Sequence, residues 1–264
     1  MRPVKTACPL VTRNHTKGVR TTRALLPLGA LLLIFSAGLS FAQIDPAQLV
    51  DRGSPGPQTV SRNQLLAPSK AKRAITRARK EIIKGNLDLA QKEIALALDI
   101  DSRFAVAKVM QGAIDLEVKN YAGAANLFQQ AIDDDPALGG AYVGMAVVLI
   151  QQGRFQPALP LLDRAEGLLP GAWFVHFAKA WAQLELGDSG AALKQADNAE
   201  RIAGTDAEKK SGVSYLRAMV YIHMRDLNTA REHLAEAVAR DRAGDYAALA
   251  KKELERLQPL LAGK

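Results

Sequence analysis

The stretch KNYAGA at Lys119–Ala124 recurs in altered spelling four more times, as GNLDLA (85–90), GRFQPA (153–158), GDSGAA (187–192) and RDLNTA (225–230). Each is a short run with turn-forming residues that ends on an alanine. Those alanines stand at 90, 124, 158 and 192, each 34 residues after the last, and then at 230 after a step of 38. A second row, Ala97, Ala131, Ala165, Ala199 and Ala237, keeps the same spacing, and a third runs Ala78, Gly112, Ala146, Ala180 and Ala218. Small residues at a fixed register on both sides of a turn mean two helices whose backbones must approach closely, which only Ala or Gly permits. Ile94, Phe128, Leu162 and Leu234 stand four positions after the first row, where they fill the gaps beside it. Pro136 and Pro170 close the second helices of their units, where a missing N–H does no harm.

A unit of two antiparallel helices in 34 residues resembles the tetratricopeptide-repeat family. The resemblance implies an all-α fold, a right-handed α-solenoid of about five helix pairs closed by a C-terminal capping helix. The register gives repeats at 71–104, 105–138, 139–172, 173–206 and 211–244, with the four extra residues in the polar loop GTDAEKK. The stretch 245–264 mixes Lys251, Lys252, Glu253, Glu255 and Arg256 with leucines and is read as the solvating cap that such arrays need. The large residues usual in a first helix of this family are present in repeat 3, as Tyr142, Met145 and Leu149. Repeats 1 and 2 have Ala74, Arg77 and Glu81, then Lys108, Gln111 and Asp115, at those places. Apolar residues come one step later there, at Ile75, Ile82, Val109 and Leu116, which implies that these two helices are rotated relative to the others.

Ahead of the array, Met1–Ala42 has the parts of an export signal. Six basic residues and no acid precede or flank ALLPLGALLLIFSAGLSFA (24–42), and Ser40 and Ala42 place small residues before a cleavage after Ala42. An uncleaved anchor is the alternative, weakened by Pro27, Gly29, Ser36 and Gly38 within the apolar run. Cleavage would leave a periplasmic protein. Residues 43–69, with prolines and glycines but little periodicity, are read as a flexible linker. The net charge of +8 belongs mostly to the signal; the rest of the chain has 29 basic against 27 acidic residues, so no nucleic-acid partner is expected. The single cysteine, Cys8, lies in the signal, and stability past Ala42 owes nothing to disulfides.

The GDSG at Gly187–Gly190 spells the nucleophile loop of a serine protease, yet it occupies the turn slot of repeat 4. Gly187 suits a left-handed helix end, and Asp188 or Ser189 suits a cap. His176, His223 and His233 are the only histidines after Ala42, and no metal-binding spacing joins them. Asp133, Asp134 and Asp135 lack the spacing of a calcium loop and are read as a solvated turn. No catalytic residues, no metal and no cofactor are expected.

The resemblance implies a concave groove lined by positions 2, 5, 9, 12 and 13 of the first helices. On this chain it puts Val106, Val109, Val143, Val147, Phe174, Phe177, Trp181, Tyr215 and Met219 in a peptide-binding surface, without the basic clamp used to hold a C-terminal carboxylate. Positions 5 and 12 can equally be core between repeats, a reading that is weaker for Phe174 and Trp181, whose counterparts elsewhere are small. A basic surface, Lys72, Arg73, Arg77, Arg79 and Lys80, faces a single acid, Glu81, and suits either a solvated end of the array or an acidic partner. Protein or peptide partners in the cell envelope follow as the expectation, for an adaptor, a general chaperone or a regulatory subunit of an envelope enzyme.

Overall fold

The computed structural model describes residues 65–262; the signal at 1–42 and nearly all of the linker at 43–69 lie outside them. Among the described residues are eleven helices: α1 (Ser69–Ile83), α2 (Leu87–Ile100), α3 (Ala105–Glu117), α4 (Tyr121–Asp134), α5 (Gly139–Gln151), α6 (Phe155–Leu168), α7 (Trp173–Glu185), α8 (Ser189–Ala203), α9 (Ala207–His223), α10 (Leu227–Arg240) and α11 (Asp245–Ala262). They pack as five antiparallel pairs, α1 with α2 through α9 with α10, and each pair stacks on the next. α11 then packs against α10 and α9. The fold is an all-α solenoid. The linker ends earlier than its composition suggests, because Ser69 already opens α1.

The turns show why the helices break where they do. Gly187 takes a φ of +85°, which a side chain would strain, and Asp188 caps α8 by accepting from the Ala191 amide at 2.9 Å. Asn120 and Asp226 cap α4 and α10 in the same way. Ser189 is thus the first residue of a helix behind its cap.

All the alanines of the first two rows, from Ala90 to Ala237, are fully buried, and so is the third row. They are the seams at which the helices of a pair meet. The expected rotation of α1 and α3 is absent. Ile75 and Val109 are buried at the same place as Val143, Phe177 and Tyr215, so all five first helices share one orientation. Polar pairs replace the large residues: Lys108 reaches Asp134 at 2.6 Å and Arg77 reaches Glu93 at 2.7 Å, tying each first helix to its own second helix. Asp134 therefore belongs to an ion pair and Asp135 is buried, which corrects the reading of 133–135 as a solvated turn.

The extra residues before repeat 5 are also placed differently. The loop is only Gly204–Asp206, and 207–210 add a first turn to α9. Asp206 accepts from the Lys209 amide at 3.1 Å, and Glu208 sits in the positive first turn, so the polar segment is a helix start.

Ion pairs also join successive repeats. Glu200 of α8 holds Arg217 of α9 at 2.5 Å and Arg240 of α10 at 3.0 Å. Burial alone would raise the Glu200 carboxyl, but the two guanidinium groups outweigh it and hold it below the usual carboxylate range. Glu236, bonded to Arg240, is lowered in the same way. A carboxyl with a lowered folded pKa stabilises above its unfolded value, about 4.3, and the contribution is lost as pH falls through the folded value. The urea midpoint is expected to stay level from neutral pH to about 5 and to drop below about 4. The drop should be shallower in Glu200→Gln, measured by circular dichroism.

Candidate peptide-binding groove

The first helices α3, α5, α7, α9 and finally α11 pack in sequence along one side of the array. This puts the nine residues assigned to the groove in a row. Val106 and Val109 lie on α3, Val143 and Val147 on α5, Phe174, Phe177 and Trp181 on α7, and Tyr215 and Met219 on α9. All nine are exposed by 7% or less and belong to one continuous hydrophobic core. Their side chains are interior packing in this structure, at positions 2 and 9 as much as at position 5.

Their C-terminal half is an aromatic cluster with two members that the motif register did not select. Trp173 meets Phe177 edge to face at 5.6 Å. Tyr246 of α11 lies 5.7 Å from Phe177 and 6.2 Å from Tyr215. Gly212 makes room for it, since a Cβ there would stand 2.8 Å from the Tyr246 ring. The signal for this contact was present in the sequence as a glycine at position 2, where α7 has Phe174, but its partner Tyr246 lies 34 residues on, in the helix after the last repeat. Local spacing could not join them.

Two polar atoms of the cluster are buried with no hydrogen-bond partner: the Trp173 Nε1–H and the Tyr215 hydroxyl. Burial, with Glu253 nearby, pushes the Tyr215 hydroxyl far up, so it stays protonated and is a donor without an acceptor. Such a group forfeits about 1–3 kcal/mol relative to a bonded one, and a carbonyl oxygen would recover it. At the far end of α7, Glu185 is half-buried, and burial raises its carboxyl.

The basic residues divide between two sides of α1. Arg73 and Lys80 are exposed, and Arg77, on the same stripe, is bound to Glu93. Lys72 and Arg79 are half-buried on another side, where Lys72 donates to the Leu65 carbonyl at 2.8 Å. They do not form one surface of five. His176 is buried beside Gln195, at 2.8 Å, and His233 is stacked on Tyr221.

Residues 115–172, from the last turn of α3 to the end of repeat 3, match the family described as tetratricopeptide repeat. These residues carry tetratricopeptide repeats. Among solved structures, TTC0263, a thermophilic tetratricopeptide-repeat protein of Thermus thermophilus, is 17% identical with a TM-score of 0.60, over 70% of this chain and 98% of that one. MamA from Desulfovibrio magneticus RS-1 is 15% identical with a TM-score of 0.53, over 67% of this chain and 98% of that one. In the Cut9–Hcn1 assembly of the APC/C, the match is 19% identical with a TM-score of 0.53, over 67% of this chain and 36% of that one. These likenesses concern the tetratricopeptide fold. No curated protein matches the chain in sequence.

Proposed function

We propose that this tetratricopeptide array is an exported, non-catalytic adaptor that binds peptide segments of cell-envelope proteins. The observation that carries the reading is the cluster of Trp173, Phe177, Tyr215 and Tyr246 with two buried donors left unbonded. The rings are closed off in the packed array, so binding requires α7, α9 and α11 to part locally; an extended or helix-end peptide then offers backbone carbonyls to the donors and apolar side chains to the rings around them. The envelope assignment rests on the basic and apolar segment ending at Ala42. N-terminal sequencing of the protein from a periplasmic fraction is expected to read Gln43-Ile44-Asp45-Pro46, and a start at Met1 in the membrane would exclude it.

The binding reading has its own test in variants that remove a donor and keep the packing. Tyr215→Phe and Trp173→Phe are expected to fold, and Tyr215→Phe should gain about 1 kcal/mol in urea unfolding by losing an unsatisfied hydroxyl. Both should recover less of a stoichiometric partner in a crosslinked pull-down from envelope extract. Undiminished recovery with either variant would reject the cluster as the binding site. Suppression of aggregation of unrelated proteins, without a stoichiometric partner, would mark a chaperone instead.

A further inference from the structure

Glu185 closes α7 against two local preferences. A helix ends on its negative pole, so its last turn favours a cation, yet that of α7 has no basic residue and carries this acid. The side chain is also half-buried, where an ionised group needs a partner. Glu93, Glu166, Glu200, Glu236 and Glu253 are half-buried or buried as well, and each holds a lysine or arginine at 2.5 to 2.8 Å. No cation and no hydrogen-bond donor among the described residues reaches the Glu185 carboxylate, and burial alone raises it. A residue that breaks local rules without a compensating contact marks a place where function sets the sequence.

The position of Glu185 says what it can meet. It follows Phe177 and Trp181 at four-residue steps, on the same stripe of α7. Trp181 is buried and Glu185 is not fully so, which puts the carboxylate at the rim of the apolar row. The same place on the neighbouring first helices is Gln151, the last residue of α5, and His223, the last of α9. On α3 it is Glu117. No lysine or arginine stands in this row, so nothing in it carries a fixed positive charge.

We infer that Glu185 binds the ammonium or guanidinium group of a lysine or arginine in the peptide held by the groove, and so selects basic peptides. This rests on the peptide-binding reading above and names the ligand chemistry which that reading leaves open. The ligand cation meets a carboxylate already stripped of part of its water, at the carbonyl end of α7, and both favour positive charge. Phe177 and Trp181 take an apolar side chain next to it. An acidic peptide is repelled by the same carboxylate, so the groove discriminates by sign as well as by fit.

Random peptides displayed on phage and selected on the immobilised full chain test the preference and its cause. The selected peptides are expected to be enriched in lysine and arginine beside an apolar residue. For a synthetic copy of one of them, fluorescence anisotropy should show affinity about tenfold weaker with Glu185→Gln, and about tenfold weaker when its basic residue is replaced by norleucine. The two changes remove one interaction, so together they should cost no more than either alone. Glu185→Lys should turn the selection toward acidic peptides. The urea midpoint of Glu185→Gln should stay level or rise; a fall would show that the chain itself already holds the carboxylate, and would overturn the inference. So would selected peptides that weaken with Tyr215→Phe yet show no basic enrichment, or that bind Glu185→Gln unchanged; the groove would then stand without its preference. If no selected peptide depends on Tyr215, the groove reading fails and this inference fails with it.

Discussion

Phe128→Ala is expected to lower the unfolding free energy of the array by about 3–5 kcal/mol, the usual cost of emptying a buried aromatic site. Phe128 is fully buried on α4, four residues beyond the seam alanine Ala124. Its ring fills the space left by two glycines on neighbouring first helices. A Cβ on Gly112 of α3 would stand 3.0 Å from its Cε1, and a Cβ on Gly144 of α5 would overlap the ring. One aromatic thus wedges two repeats together, and its removal opens a cavity at the boundary between them. Gly144→Ala should destabilise for the opposite reason, because the ring is enclosed and cannot retreat. The two substitutions share one space, so the double variant should lose less than the sum of the single ones, as a double-mutant cycle in urea would show. Additive losses would mean that the ring and the glycine do not share the site.

Tyr246→Ala should cost a similar amount, about 3–5 kcal/mol, but in a different place. Tyr246 is the buried anchor of α11, set against Gly212, Tyr215 and Phe177. A solenoid is stabilised by contacts between neighbours, so loss of a terminal anchor loosens the end before the middle. Amide hydrogen exchange is expected to rise in α9, α10 and α11 while α3 to α6 keep their protection. A uniform rise along all the helices would show that α11 does not cap locally. The variant also strips one ring from the aromatic cluster, so its effect on partner binding should exceed that of Tyr215→Phe.

The helix pairs were legible in the sequence because what forms them is local. Fifteen small residues at a 34-residue period and turn residues between the rows mark each unit without reference to any other, and prolines after the second helices add to this in repeats 2 and 3. The turn role of Gly187–Gly190 was legible for the same reason, since Asp188 caps α8 through an amide three residues on. The register also named Phe177 and Tyr215, which do meet one ring, Tyr246. The apparent rotation of α1 and α3 misled because large residues at positions 4, 7 and 11 can be replaced by ion pairs such as Lys108–Asp134, whose partners are 26 residues apart.

What the sequence determined by itself is the repeating unit, its two helices and the seams where they touch, all set by spacing within 34 residues. Only the tertiary structure decided how units meet. The stacking brings Lys179 to Asp163 and Glu166 and Arg217 to Asp197 and Glu200. It also carries Tyr246 past α9 to Phe177, so that an aromatic of the cap closes over residues two first-helices away. Contacts of that range depend on the rise and rotation between repeats, which are the sum of all the side-chain volumes at the interfaces. No single residue or spacing encodes that sum, so it becomes visible only when the whole stack is assembled.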